Sequence, residues 1–186
     1  MISPLLATSG VPVTVCHNEL QFTTTHSLEF IDITDRIADC LDQSQIRRGI
    51  ILIQSMHTTA SILVNENEPL LLKDLRRTLE NLAPAGFQYE HDRFDIRTVN
   101  MTPEERPNGH AHCKSIFLRT SETIGVRNGR LDLGLWQRIF LVELDESRRR
   151  SGSLTWIGAP VDYREAHDSH AWATGLNFLG LLCGMQ

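Results

Sequence analysis

Two histidines, a cysteine and a lysine stand within five residues in the segment PNGHAHCKS, residues 107–115. Imidazole nitrogens are the most common side-chain ligands of zinc-like ions, and they also exchange protons near neutral pH. Lys114 carries a positive charge of its own, so it suits a phosphate or carboxylate better than a cation. In an extended segment His110 and His112 would share one face, whereas a helix would turn them apart. The segment is therefore consistent with a metal site, an anion site, or a surface loop whose polar side chains have no binding role.

Three further polar clusters interrupt or border apolar segments, at residues 57–59, 65–67 and 89–92. The first, His-Thr-Thr, is either a core histidine with polar neighbours or part of a cavity lining, because three adjacent buried polar residues cost desolvation. The second, Asn-Glu-Asn, is typical of a helix cap and is also a candidate site. The third, Tyr-Glu-His-Asp, would place both rings on one side of an extended backbone. Asp74 is either a solvated helix charge or a general base.

Histidines from three separate segments could form one metal site. His57, His91 and His112 would supply three nitrogen ligands and leave one coordination position open, which is the arrangement of catalytic rather than structural zinc. We therefore predict a divalent metal, zinc or a similar ion, as the cofactor. We also expect an anionic ligand, bound by Lys114 beside that metal ion.

The elements that must position these residues follow a simple order. Period-two alternation and β-branched residues predict strands, and apolar residues three or four apart predict helices. The first half is expected to contain a strand in 11–25, a helix from Thr34 to Gly49, one long or two shorter strands in 50–65, and a helix in 66–84. A long polar loop is expected in 85–109. From 110 onward we expect short strands from SIFLRT to GSLTWIG, with an RNGR hairpin at 127–130. This order predicts an α+β fold.

The whole chain has the composition of one globular domain. It has 186 residues, of which 41 % are hydrophobic and 22 % charged, with a formal charge of −5. An acidic balance argues against nucleic acid as a partner, and the RRR run at 148–150 is too short for a basic stripe. No apolar run approaches the ~20 residues of a membrane span, and four cysteines without a CxxC pair suit a reducing compartment. We expect a cytoplasmic protein without a membrane partner.

Several separated motifs resemble those of one known family, the YjbQ-like proteins. The motifs are HTTASILVNENEP (57–69), Tyr89 with His91, AHCKS (111–115), SETIGVRNGRLDLGLWQRI (121–139) and FLVELDESRRR (140–150). They occur in the family's order and cover roughly residues 12–158. The domain organisation is therefore expected to be a leader at 1–11, a YjbQ-like domain at 12–158, and a tail at 159–186 outside the family core.

The resemblance implies a single domain with a mixed or antiparallel curled sheet and two main helices, which assembles as a homotrimer. It implies a weak thiamine-phosphate-synthase activity, which joins a pyrimidine diphosphate to a thiazole phosphate, and thus phosphorylated small molecules as ligands. His57, His91 and His112 would be the metal or anion ligands, Glu66, Asp74 and Lys114 the catalytic groups, and Thr58, Asn65, Asn67, Lys114, Gln137 and Arg148 the substrate-binding or anion-binding groups. Glu143 would lie further out, and His110 falls outside the matched pattern.

Two functions of different classes are consistent with these residues. In the first, the protein is a metal-dependent transferase in which the ion and Lys114 or Arg148 stabilise a leaving pyrophosphate. In the second, it is a non-catalytic trimer that binds a metal or a phosphorylated metabolite. Turnover of a phosphorylated substrate by the purified protein separates the two.

Overall fold

The computed structural model describes residues 13–160. The leader (1–11) and residues 161–186 of the predicted tail lie outside the described residues. The strands are β1 Thr14–Thr23, β2 Phe30–Asp32, β3 Arg48–Ser55, β4 Ala60–Glu66, β5 Ser121–Arg127, β6 Arg130–Leu131, β7 Gln137–Glu143 and β8 Arg149–Ala159. The helices are α1 Thr34–Ser44, α2 Pro69–Leu82 and α3 Gly109–Ser115, with a short 3-10 helix at Glu90–Asp92. The predicted α+β class is confirmed, with a third helix added.

The curled antiparallel sheet is divided into two hydrogen-bonded parts. Five strands follow the order β1-β8-β3-β5-β6, and three follow the order β2-β7-β4. The longest ladder pairs β1 with β8, from Thr14 opposite Gly158 to Thr23 opposite Arg149. The RNGR segment forms the β5–β6 hairpin as predicted, because Asn128 and Gly129 both adopt the positive φ angles (54° and 70°) that a tight two-residue turn requires.

Two clusters of buried residues hold the elements together. The larger cluster lies against α1 and includes Ile37, Ile51 and Trp156, each with no exposed surface. The smaller one packs α2 and α3 on the three-stranded part through residues such as Leu79, Ala111 and Phe140. Because α3 packs on this second cluster, its position against β4 is fixed by apolar contacts as well as by polar ones.

Two predicted elements differ in the structure, and for a third the structure selects one of the two predicted alternatives. Helix α1 ends at Ser44 rather than Gly49, because Gln45 takes the left-handed conformation (φ 57°) that terminates a helix. The 50–65 segment forms two strands, and residues 56–59 connect them. The SIFLRT segment is not a strand: its first residue ends α3, and only Arg119 makes an isolated bridge, to Ile62. The connection between β3 and β4 carries His57 out of the strand.

Gly49 lies within β3, where the chain packs closely on β8. A Cβ atom at this position would approach the carbonyl oxygen of Ile157 to 2.2 Å. Gly49 is therefore required for the close packing of β3 on β8, and it does not terminate a helix. Across residues 13–160 no helix combines the length and the apolar character needed to cross a membrane.

Candidate functional site

A cavity of about 910 Å³ lies where three parts of the chain meet. The β3–β4 connection contributes Met56, His57, Thr58 and Thr59, and the chain around β8 contributes Arg148 and Arg150. The 85–108 loop and α3 contribute the remaining lining residues, which are Glu90, His91, Arg97, Val99, Asn100, Glu105, Asn108 and His112. Three guanidinium groups and three imidazoles thus face two carboxylates in the lining. A cavity of this size and polarity can hold a small anionic molecule.

His91 and His112 lie next to each other on two short helical elements. Their ring centroids are 4.5 Å apart, and the His91 Nε2 atom is buried without a hydrogen-bond partner. Asp92 fixes the spacing, because its Oδ1 accepts the backbone N–H groups of Asn108 and Gly109, each at 2.9 Å. Gly109 permits the close approach, since a Cβ there would come within 2.4 Å of the Tyr89 Cβ. The two rings are therefore held in place by backbone contacts.

The helical conformation of residues 109–115 decides between the alternatives for the histidine pair. His112 lines the cavity, whereas His110 is turned away and accepts a hydrogen bond from the Lys114 ammonium at 3.1 Å. One histidine of the pair thus faces the cavity and the other belongs to a buried charged cluster. Burial, reinforced by His91, lowers the pKa of His112, so its imidazole is neutral at pH 7.

His57 reaches the cavity from the β3–β4 connection and is anchored to β8. Its Nε2 accepts the backbone N–H of Ser151 at 2.9 Å, so the proton of the neutral ring resides on Nδ1. Burial lowers the pKa of His57 below its usual value, Arg150 lowers it further, and Glu143 partly offsets both. His57 is therefore neutral at pH 7.

A buried ion pair between Glu143 and Arg150 lies beneath His57. Glu143 has no exposed surface and Arg150 is 3 % exposed. Arg150 Nε donates to Glu143 Oε2 at 2.6 Å, and Arg150 Nη2 donates to the second carboxylate oxygen and to Thr59 Oγ1. Thr24 Oγ1 donates to the same carboxylate at 2.9 Å. The carboxylate and the guanidinium thereby satisfy each other, which a buried charge requires.

Arg148 differs from the other arginines of the lining, because part of its guanidinium remains available. Its Nη2 lies 2.7 Å from Asp145 Oδ2, its Nε has no partner, and its side chain is 34 % exposed. By contrast, Arg97 donates to the carbonyl groups of His91 and Asn100 and so shapes the 85–108 loop. Arg148 is the guanidinium of the lining best placed to meet an anion.

Lys114 does not line the cavity. It is fully buried, and its ammonium lies 2.9 Å from Glu80 Oε2 on α2. The contact with Glu80 joins α3 to α2, and the bond to His110 within α3 fixes the ammonium group. The predicted direct contact of Lys114 with an anion is thus not found in the described chain, because the helix turns this side chain toward α2. In this position Lys114 orients the helix that carries His112.

The other predicted site residues lie elsewhere. Strand β4 runs from Ala60, next to the cavity, to Glu66, about 20 Å further along. Asn65, Glu66, Asn67, Asp74 and Gln137 are absent from the lining. Asn67 donates to Asp32, the Gln137 side chain accepts the Gly134 N–H, and Asp74 pairs with Arg77 at the surface. The structure therefore brings together His57, Thr58, His91, His112 and Arg148 and separates them from this second group.

The donor set fits a metal ion in part. The unpartnered His91 Nε2 and the adjacent His112 ring are suited to a shared ion, since imidazole nitrogens are good zinc ligands. The His57 Nε2 lone pair, however, is already used by Ser151. Between residues 13 and 160 no three His, Cys, Asp or Glu side chains are grouped closely enough to hold an ion. The three-histidine centre remains a prediction, and the described geometry supports two histidine ligands.

The lowered pKa of His57 predicts a pH-dependent stability. The unfolded histidine titrates near 6.5 and the folded one below it, so the unfolded chain takes up this proton first. The contribution of neutral His57 to the free energy of unfolding is thus complete above pH 6.5 and is lost as the pH falls through the folded pKa. In urea unfolding at pH 7.5, 6.5 and 5.5, the free energy of unfolding should decline as the pH falls, and the decline should be shallower in His57→Gln than in the unmodified protein. An equal slope in both proteins would contradict the assignment.

A model of the family described as "UPF0047 protein YjbQ-like" matches residues 18–159. A UPF0047 protein of Methanothermobacter thermautotrophicus is 37 % identical over 151 residues, which cover 81 % of this chain and 98 % of the relative. YugU of Bacillus subtilis is 36 % identical over 140 residues, 75 % and 97 % of the two chains. These proteins match the described domain over nearly their full length.

Solved structures agree with the sequence relatives. A YbjQ-like protein of unknown function from Sulfolobus solfataricus has a TM-score of 0.70 and 32 % identity, covering 79 % of this chain and 99 % of that one. A YjbQ/UPF0047 family protein from Clostridium acetobutylicum has a TM-score of 0.65 and 30 % identity, covering 75 % and 98 %. The resemblance inferred from the motifs is thereby confirmed. The chain belongs to the UPF0047 family of YjbQ-like proteins.

Proposed function

We propose that the cavity binds a small phosphorylated molecule and acts on it. The observation that carries this proposal is the convergence of His57, His91, His112 and Arg148, from three separate parts of the chain, on one cavity. Guanidinium groups recognise phosphate through charged hydrogen bonds, and neutral imidazoles exchange protons near pH 7. Both kinds of group are needed to bind and transform a phosphate ester.

The charges in the lining favour one position for the phosphate in this proposal. Arg150 is neutralised by Glu143, and Arg97 lies 3.5 Å from Glu105 and is bonded to loop carbonyl groups. Arg148, although paired with Asp145, keeps an unpartnered Nε and an exposed part of its side chain. The phosphate therefore lies against Arg148, on the side of the cavity formed by the start of β8.

The imidazoles supply a metal ligand and a hydrogen-bond donor. His112 is neutral because its pKa is lowered by burial and by the adjacent His91, so its lone pair can hold a metal ion. His57 is held with its proton on Nδ1 by the bond from Ser151, so it can donate a hydrogen bond to a ligand oxygen. These two histidines have complementary roles in this proposal, one as metal ligand and one as donor.

The reaction proposed for this site is a weak transferase activity of the thiamine-phosphate-synthase type. A bond forms between the pyrimidine carbon and the thiazole nitrogen, and pyrophosphate leaves with the electron pair of the broken carbon–oxygen bond. Arg148 would hold the leaving pyrophosphate. His91 and His112 would hold a divalent metal ion, which when bound supplies further positive charge beside the pyrophosphate.

Calorimetric titration with inorganic pyrophosphate, with and without zinc, tests the proposal. The unmodified protein should bind pyrophosphate, and His112→Ala should lose both zinc binding and the conversion of the pyrimidine diphosphate and thiazole phosphate. His26→Ala is the matched control, because His26 is exposed and hydrogen-bonds only the neighbouring Ser27 carbonyl. Absence of pyrophosphate binding by the folded protein would refute the proposed function.

A second candidate function is a non-catalytic homotrimer that binds the same ligand. An exposed apolar stripe on the five-stranded part supports self-association: Val15, Ile157 and Ile50 stand opposite one another on β1, β8 and β3, and each is at least 41 % exposed. Light scattering should give three times the chain mass of 21.1 kDa. Pyrophosphate binding without any turnover would favour this candidate over the transferase.

A further inference from the structure

Asn108 occupies the N-cap position of α3 without capping the helix. Asparagine at this position normally accepts a backbone N–H of the first turn through its side-chain oxygen. Here the Asn108 side chain makes no such bond, and the Asp92 carboxylate instead accepts the N–H groups of Asn108 and Gly109. Asp92 thus bonds the first N–H groups of the helix, and the Asn108 side-chain amide takes no part in capping.

The side-chain oxygen of Asn108 is also buried without a partner. The residue is 6 % exposed, it lines the cavity, and its Oδ1 has no hydrogen-bond partner among the described residues. Leaving a buried acceptor unpaired destabilises a fold, and an apolar side chain of similar size would avoid that cost. A polar group at this place therefore requires a partner that the described chain does not supply.

The backbone of Asn108 is rigid, so the amide is presented from a fixed point. Its N–H is bound by Asp92, and its carbonyl group accepts the N–H groups of Ala111 at 2.9 Å and His112 at 3.3 Å. His91, another lining residue, likewise has an unpartnered buried nitrogen. Asn108 Oδ1 and His91 Nε2 thus both lack a hydrogen-bond partner, and both residues line the cavity that Arg148 lines.

We propose that Asn108 selects phosphate esters that carry a hydroxyl group near the phosphate, as phosphorylated polyols and sugars do. The phosphate lies against Arg148, and the hydroxyl group pairs with the Asn108 amide. A hydroxyl group both donates and accepts, so it can pair with either end of the amide. Rotation about the terminal side-chain torsion, which has a broad energy profile, turns Oδ1 toward the ligand. This inference rests on the proposed function in one respect, because it requires a phosphate at Arg148. It does not concern the two substrates of the thiamine-type reaction, which carry no hydroxyl group near the phosphate, but other phosphate esters at the same site.

Calorimetric comparison of two probes tests the inference. Glycerol 3-phosphate carries the hydroxyl groups that propyl phosphate lacks, and the unmodified protein should bind it at least about 10-fold more tightly. In Asn108→Leu this ratio should fall to about 1, because the affinity for glycerol phosphate drops while that for propyl phosphate stays within about twofold. Asn81→Leu, an exposed change on α2, should leave the ratio unaltered.

Thermal unfolding separates this role from a structural one. Since Asn108 does not cap α3, Asn108→Leu should unfold at a midpoint no lower than that of the unmodified protein, and Asn108→Ala provides a smaller second variant. Equal affinity of the unmodified protein for the two probes would overturn the inference and leave the proposed function intact. An equal loss of affinity for both probes in Asn108→Leu would also overturn it. Failure of both probes to bind would overturn the proposed function itself.

Discussion

Replacement of Arg150 by methionine is expected to lower the free energy of unfolding by about 3–5 kcal/mol. Methionine fills a similar volume but leaves the Glu143 carboxylate, which has no exposed surface, without its guanidinium partner. The two remaining hydrogen bonds, from the Thr24 hydroxyl group and the Asp145 backbone N–H, come from neutral donors and do not compensate a buried charge. Urea unfolding monitored by circular dichroism at pH 7 measures the effect.

The matched control removes both charges at once. The double variant Arg150→Met with Glu143→Leu should recover most of the lost stability, because a buried ion pair is often replaceable by apolar residues at little cost. Each single variant should be less stable than the double one. If Arg150→Met alone changed the free energy of unfolding by less than about 1 kcal/mol, the buried pair would not be the structural support of the cavity that the geometry indicates.

Arg148→Ala is expected to weaken pyrophosphate binding by roughly 10- to 150-fold. Charged hydrogen bonds contribute about 1.5–3 kcal/mol each, and Arg148 carries the available guanidinium donors of the lining. The change also leaves Asp145, which is 1 % exposed, without its ion-pair partner, so some loss of stability accompanies it. Titration calorimetry below the unfolding transition therefore measures affinity on the folded variant.

The adjacent arginine provides the control for this prediction. Arg149 precedes Arg150 on β8, is exposed and is absent from the cavity lining, because successive side chains of a strand point to opposite faces. Arg149→Ala should bind pyrophosphate within about twofold of the unmodified protein. Equal losses in Arg148→Ala and Arg149→Ala would show a general charge effect and not a defined phosphate position.

The fold class could be predicted from the sequence because local patterns determine it. Alternation in β5 and β8, the continuous apolar run of β7 and the RNGR turn each specify an element without reference to distant residues. The sequence misplaces the end of α1, because glycine is the usual stop signal and Gly49 is the first glycine after the helix. Gln45 adopts the left-handed conformation instead, and Gly49 is needed for strand packing.

The candidate site could be predicted where a histidine motif or the family resemblance marked it, as at His57 and Arg148. Arg97 and Asn108 were missed because they belong to an irregular loop, whose shape depends on long-range bonds such as Asp92 to Asn108. Lys114 was assigned to the ligand because sequence spacing does not tell which side of a short helix meets the cavity. Arg150 had a detectable signal: it continues the buried alternation of Leu154 and Trp156 along β8, so an inward-facing arginine was predictable.

The most direct test of the shared phosphate site is the NMR titration of the histidine side chains with pyrophosphate. In long-range proton–nitrogen spectra, the ring signals of His57, His91 and His112 should shift together with one dissociation constant, because all three line one cavity. The exposed His17 and His26 serve as internal references and should not move. Shifts confined to these two references, or different dissociation constants for the three cavity histidines, would contradict a single phosphate-binding site.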